Sequence, residues 1–254
     1  MAFYDVIGNI AIVKSEGKSR AEVQRVAKEL LARPNIKTVV EKAERFKGRL
    51  RTIKVKHLLG EKNTIAEYKE NGCVFLMDVE KAYFSSRLSN ERLEVAGKIK
   101  KKDSVLVLFS GVGPFSVVIA KKIKPKRLVS IELGRIPHKF ALENAVKNKI
   151  AEDVEFIQGD VKRQIPKLKE KFDVIVMPRP NLKETFLKDA LKVSKKGTKI
   201  IYYGFCRDDE VKDMVQELKD EAVEVKKKIR VLKVKQAGDI APYKHRYRVE
   251  IRVE

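Results

Sequence analysis

The hydrophobic pattern changes character about a third of the way along the chain. Before residue 90 the apolar runs are short and their period is mixed. Residues 6–13 (VIGNIAIV) read as a strand. Residues 20–33 put Val23, Val26, Ala27, Leu30 and Leu31 at helical spacing behind Ser19, a good N-cap. Residues 36–40 are β-branched and predict a strand. Three more short strands are predicted over 53–59, 64–69 and 73–79, broken at Gly60 and at Asn71-Gly72. A small α+β unit is therefore expected over residues 1–90.

After residue 90 strands and helices alternate. A helix over 90–98 precedes 104–109 (SVLVLF), a continuous apolar run of the kind a strand shows when both faces of its sheet are covered. Further strands are predicted over 127–132, 154–158, 172–177 and 198–205. The helices between and after them cover 115–123, 139–149, 181–194 and 208–221. The tail, 222–235 and 246–254, has alternating β character and predicts an antiparallel hairpin closing the sheet. Such an order implies a doubly wound α/β sheet with right-handed crossovers over residues 91–254. No internal repeat or low-complexity linker interrupts it.

Charge narrows the partner. The 254 residues carry 57 Lys+Arg against 35 Asp+Glu, a net +22. Thermophile-type surfaces explain many charges of both signs, but not so one-sided an excess. A polyanion is expected, because phosphate contacts by Lys and Arg release counterions and dominate affinity. With 43% hydrophobic residues there is still material for a packed core. Cys73 and Cys206 form no CxxC, and His57, His138 and His245 do not cluster, so neither a disulfide framework nor a metal is expected. The most apolar stretch, 105–120, is interrupted by Ser110, Gly111, Gly113, Pro114 and Ser116, whereas a membrane helix needs about 20 mostly apolar residues. The first residues lack the basic flank of a signal peptide, and a cytoplasmic protein is expected.

In an open α/β sheet, ligands bind at the carboxyl ends of the strands. Four predicted loops there carry informative residues. The first is Phe109-Ser110-Gly111-Val112-Gly113-Pro114, a GxG turn without the third glycine of a dinucleotide fingerprint. Alone it is also compatible with an ordinary tight turn. Glu132 closes the second strand and suits both hydroxyls of a ribose, or else a surface carboxylate facing the basic helix that follows. Asp160, after Gly159, suits an adenine amine. The fourth loop is Pro178-Arg179-Pro180. The order of GxG, then Glu about 20 residues on, then Asp is the arrangement of class I S-adenosylmethionine-dependent methyltransferases. A Rossmann-like methyltransferase domain behind a smaller N-terminal α+β domain is therefore expected.

Several segments sharpen this. Lys69-Glu70-Asn71-Gly72, Asp78, the run 82–92 (AYFSSRLSNER) and 109–115 together resemble the archaeal and eukaryotic tRNA (guanine-37-N1)-methyltransferase family. The opening 7–13 (IGNIAIV) is similar to that family's first strand, with Asn9 in place of Asp, and 241–245 (APYKH) to its C-terminal segment. Less closely, the chain resembles the sister branch that transfers an aminocarboxypropyl group in wybutosine synthesis, which lacks an Arg at the place of Arg87. The resemblance implies that Tyr83, Arg87, Phe109, Gly111, Gly113, Glu132, Asp160 and Pro180 line an S-adenosylmethionine site. It implies that Glu91 is the general base and that Arg51 holds the guanine O6 in the anticodon stem-loop of tRNA. On the residues alone, Glu91 reads equally as a helix-start carboxylate or an i,i+4 partner, and Arg51 as a phosphate contact.

The chain also departs from the pattern. Where the family carries Asn-Leu-Pro or Asn-Pro-Pro, it has Pro178-Arg179-Pro180, so a side-chain amide is lost. An archaeal subgroup with Pro there includes members that methylate a wyosine precursor, and 202–205 (YYGF) is similar to the same subgroup. The resemblance begins at the family's second domain, so the domain that reaches the tRNA elbow in many members is not expected, and the basic surface has more affinity to supply. A monomer is expected. Tyr202, Tyr203 and Phe205 are candidates for stacking on a base, or for burying the end of the sheet. The alternatives to guanine methylation are aminocarboxypropyl transfer, methylation of a wyosine precursor, and tRNA binding without catalysis.

Overall fold

In the computed structural model, which describes residues 3–43 and 52–254, the run expected as one strand over 6–13 is a hairpin. Strands β1 (Tyr4–Ile7) and β2 (Ile10–Val13) pair antiparallel about Gly8-Asn9. Gly8 has φ +56°, and a Cβ there would lie 1.7 Å from the Glu67 carbonyl oxygen, so a side chain has no room. Asn9 Oδ1 accepts the Glu67 N–H at 2.8 Å and holds the turn in place. Helix α1 (Arg20–Leu31) starts with a capping box: Ser19 Oγ accepts from the Glu22 N–H, and Glu22 accepts from the Ser19 N–H. It buries Val23, Ala27 and Leu30 against Ala11, Val13, Ile36 and Val39. Strand β3 (Thr38–Lys42) runs parallel to β2, and β4 (Val55–Gly60) antiparallel to β3. Strands β5 (Ile65–Glu70) and β6 (Cys73–Asp78) form a separate two-stranded sheet.

The chain divides into two compact units, Met1–Ser86 and Arg87–Glu254. A division at 90/91 would fall inside α2 (Ser89–Ala96), whose buried Val95 and Ala96 belong to the second unit. The second unit continues with β7 (Ser104–Leu108), α3 (Pro114–Ile123), β8 (Arg127–Glu132), α4 (Arg135–Lys147), β9 (Glu155–Gln158) and α5 (Val161–Gln164). Next come β10 (Phe172–Met177), α6 (Leu187–Lys192), β11 (Ser194–Arg207), α7 (Val211–Glu224), β12 (Ile229–Ala241) and β13 (Lys244–Val253). The sheet order is β12-β13-β11-β10-β7-β8-β9. Strands β7 to β11 are parallel, and β13 lies antiparallel between β11 and β12. Chain direction across the sheet switches between β7 and β10, the place where such sheets open a ligand crevice. This is the expected α/β Rossmann-like domain with a smaller N-terminal unit.

Three helices differ from expectation. The one expected over 181–194 is only Leu187–Lys192. Arg179 is buried, and its Nη1 donates to the carbonyls of Pro180, Leu182 and Glu184 at 3.2, 2.8 and 3.1 Å. These carbonyls are held by the guanidinium instead of an advancing helix, and Phe186, at φ +61°, sets the start of α6. Helix α4 begins at Arg135, ahead of the expected 139, because Pro137 is tolerated in a first turn. Helix α7 runs on to Glu224, into a segment expected as strand, because Met214, Leu218 and Ala222 are buried at helical spacing. Among the described residues no helix is long and apolar enough to cross a membrane, and no group of three or more His, Cys, Asp or Glu is placed to hold a metal ion.

Candidate active site

Strand β7 ends in a turn that only a few residue types tolerate. Phe109 has φ +59°, and its ring meets that of Phe186 edge-on at 4.9 Å. Ser110 follows, buried; its N–H donates to the Ile131 carbonyl at 3.0 Å, tying the turn to β8. Its Oγ is buried without a hydrogen-bond partner among the described residues. Gly113 caps α3 at φ +84°, a left-handed conformation that favours glycine. Pro114 opens the helix where no N–H partner is needed.

Glu132 closes the second side. It is 8% exposed, and its two oxygens are held separately. Oε2 accepts the Gly111 N–H and Oε1 the Gly134 N–H, each at 2.7 Å. Burial pushes this carboxyl above the ordinary range, against the opposing N–H groups of Gly134, Gly111 and Leu133. A carboxylate offers about four acceptor positions, so one backbone donor on each oxygen leaves capacity for a pair of neighbouring hydroxyls. The Glu132 carbonyl accepts the Gly159 N–H at 2.8 Å, which draws in the third loop. There Asp160 Oδ1 accepts the Lys162 N–H at 2.9 Å and caps α5. The turns carrying Gly111, Glu132 and Asp160 are thus joined by hydrogen bonds at the carboxyl ends of β7, β8 and β9. Pro180 lies in the loop gathered by Arg179, beyond the end of β10.

Glu91 lies in α2, buried and 8% exposed. Its Oε1 accepts two hydrogen bonds, from the Tyr203 hydroxyl at 2.6 Å and from Arg248 Nη1 at 2.7 Å. The Tyr203 ring packs 5.8 Å from that of Phe115, in the first turn of α3. One aromatic side chain therefore links Glu91 to the helix that the glycine turn begins. Burial, then the Glu91 charge, push the Tyr203 phenol well above its usual range, so it donates as a neutral hydroxyl. Arg248 is fully buried. Its Nη2 reaches Glu94 at 2.5 Å and Glu250 at 3.0 Å, with Lys98 and Lys235 on the far side of those carboxylates.

Arg248 and Arg179 were not singled out from the sequence. A signal for Arg248 did exist: 244–253 (KHRYRVEIRV) alternates charge with hydrophobe, and a charged face on a strand inside a sheet needs buried partners. Tyr202 and Tyr203 are buried in the sheet's end, so the packing alternative holds for both. Tyr202 lies under the Arg179 guanidinium at 5.1 Å. Tyr83 is half-buried in the first unit. Arg87 is exposed in the short turn Ser86–Leu88; the Asp239 carboxyl is held below its ordinary range by hydrogen bonds from His245 first, then Gln236, with the Arg87 charge the least of the causes. Arg51 lies outside the described residues.

The family described as TRM5/TYW2 methyltransferase domain matches residues 66–232. The chain belongs to the TRM5/TYW2 methyltransferase family. Ahead of that match, residues 2–64 match the family described as TYW2 N-terminal domain. This TRM5/TYW2 chain is 30% identical over 252 residues to the tRNA (guanine(37)-N(1))-methyltransferase Trm5b of Pyrococcus abyssi, covering 98% of this chain and 74% of the relative. The crystal structure of that Trm5b matches with a TM-score of 0.87, over 99% of this chain and 74% of the other. The tRNA (guanine(37)-N(1))/4-demethylwyosine(37)-methyltransferase Taw22 of Nanoarchaeum equitans is 31% identical over 298 residues, 98% of each chain. The tRNA 4-demethylwyosine(37)-methyltransferase Taw21 of Saccharolobus solfataricus is 34% identical over 201 residues, covering 78% of this chain and 76% of the relative.

Proposed function

We propose that this protein is a tRNA (guanine-37-N1)-methyltransferase that uses S-adenosylmethionine. The observation that carries the reading is the link from Glu91 through Tyr203 to the glycine turn whose Gly111 is held by Glu132. A buried carboxylate linked in this way to the turn at the carboxyl end of a parallel strand supports the reading of Glu91 as the base. A net charge of +22 suits a tRNA partner. The likeness to the Pyrococcus Trm5b over almost the whole of this chain supports the same reaction.

The residues fit the cofactor. Glu132 has acceptor capacity for the ribose hydroxyls, Asp160 suits the adenine amine, and the backbone of Gly111 and Gly113 allows close approach, with the Phe109 ring and Pro180 as walls. When bound, S-adenosylmethionine supplies a methyl group on a positively charged sulfur, and the carbon–sulfur bond breaks with its electron pair remaining on sulfur. Guanine N1 carries a proton and is a poor nucleophile until that proton leaves. Glu91 takes it, freeing the N1 electron pair for the new carbon–nitrogen bond. Beyond proton removal the transfer needs alignment, which the ordered loops provide.

The test is labelled S-adenosylmethionine with tRNA transcripts bearing G or A at position 37, followed by mass analysis of the product nucleoside. Methylguanosine from the G37 transcript alone is expected. Equal labelling of both, or an aminocarboxypropyl mass increment, would overturn the reading. One observation favours a second substrate at the same site: the Nanoarchaeum protein, whose name includes 4-demethylwyosine, aligns over 98% of both chains. Methylation of tRNA carrying 4-demethylwyosine checks it.

A further inference from the structure

We propose that Arg248 is a positioning residue for methyl transfer: from inside the sheet it locks Glu91 by one oxygen and so aims the other at the substrate proton. The proposal rests on the reading of Glu91 as the base. A fully buried guanidinium in the middle strand of a three-strand edge needs a reason, because a hydrophobic side chain there would fill the space without desolvating a charge. Val249 and Ile251, on the opposite face of the same strand, show what the position would otherwise hold.

The fork of Arg248 is fully directed. Nη1 goes to Glu91 Oε1 at 2.7 Å, Nη2 to Glu94 Oε1 at 2.5 Å, and Nε to Glu250 Oε1 at 3.1 Å. A lysine ammonium in this place would be a point charge without that planar geometry. Tyr203 stands directly across from Arg248 in the β11–β13 register and donates to the same Glu91 oxygen. Two donors on Oε1 fix the rotation of the carboxylate and leave Oε2 as the oxygen for another partner. Of the two donors only Arg248 is charged, since Tyr203 is held as a neutral phenol. Glu94 and Glu250 meet the rest of the guanidinium, Lys98 and Lys235 lie beyond those carboxylates, and Arg246 acts on Tyr203 from the same strand; among the described residues Arg248 is the cation hydrogen-bonded to Glu91.

The test measures steady-state methylation of G37 tRNA, as kcat and KM, for wild type, R248M, R248K and Y203F in the full chain. Calorimetric S-adenosylmethionine binding serves as the check on folding. With R248M, kcat is expected to fall about 100-fold, the order of a general-base contribution, with KM for tRNA nearly unchanged. R248K restores part of the rate, and Y203F lowers kcat less than R248M does. A folded R248M with wild-type kcat, or one whose loss lies in KM for tRNA rather than in kcat, overturns the proposal. If R248M does not bind cofactor, wild-type kcat in both R248K and Y203F overturns it. E91Q separates the two layers: a fully active E91Q removes the base reading itself, whereas an inactive E91Q beside silent Arg248 variants removes only this inference.

Discussion

Gly111 donates its backbone N–H to Glu132 at 2.7 Å, so the turn after β7 and the end of β8 are held by one carboxylate. The same side chain holds Gly134 with its other oxygen. Glu132 is therefore both a ligand candidate and the clamp that shapes the crevice. Replacing it with alanine frees two backbone donors and removes the acceptor for a ribose. S-adenosylmethionine affinity in E132A is expected to fall at least about tenfold, equivalent to about 1.4 kcal/mol. Affinity for tRNA measured without cofactor is expected to change little. Calorimetry and filter binding read the two separately.

Arg179 is expected to matter for stability more than for chemistry. Its Nη1 serves three carbonyls in the 180–184 loop, and its guanidinium lies over the rings of Tyr202 and Phe205 at 5.1 and 5.7 Å. R179M keeps much of the volume but takes the side-chain donor from the part-buried Leu182 and Glu184 carbonyls, at a cost of about 1–3 kcal/mol. A lower urea midpoint with an unchanged slope is the expected result.

Acid sensitivity is expected to run through Glu94. Hydrogen bonds from Arg248 first, then Lys235, hold its carboxyl at about 2 against an ordinary 4.5. A depressed carboxyl contributes stability that is present above its unfolded value and is lost as pH falls through the folded one. Wild-type stability should therefore decline between pH 4.5 and 2. E94Q should show a shallower decline over that window in urea titrations at successive pH. Because Glu94 is 35% exposed, solvent screens the pair and the effect is modest.

Binding of tRNA should depend steeply on salt. If the +22 charge serves phosphate contacts, raising salt from 50 to 200 mM should weaken binding by about 10³-fold for six or so contacts. A nearly flat dependence would assign the excess charge to the surface at large.

Much of the second unit was legible because its signals are local. A run such as 104–109 needs only its own residues to read as a buried strand, and the observed β8 coincides with the segment expected. Gly111, Gly113, Glu132 and Asp160 could be placed at neighbouring strand ends from type and spacing, since a parallel sheet brings successive strand ends to one edge, and the turns that carry Gly111, Glu132 and Asp160 are joined by hydrogen bonds there. The failures have the opposite character. The 6–13 run reads as one strand until the Glu67 carbonyl closes the space above Gly8. The 181–194 run reads as a helix until a buried Arg179 takes its carbonyls.

By itself the sequence determined the alternation of elements, the order of the strand-end residues and the sign of the charge, all of which follow from periodicity and composition. Only the tertiary structure decided the state of Glu91. Its partner Arg248 lies 157 residues away and reads locally as one more exposed base on an alternating strand. The insertion of β13 between β11 and β12 buries that guanidinium and leaves it carboxylates to meet its charge. The alternation of 244–253 marks a charged face, but which carboxylate meets it depends on which distant element folds against the strand.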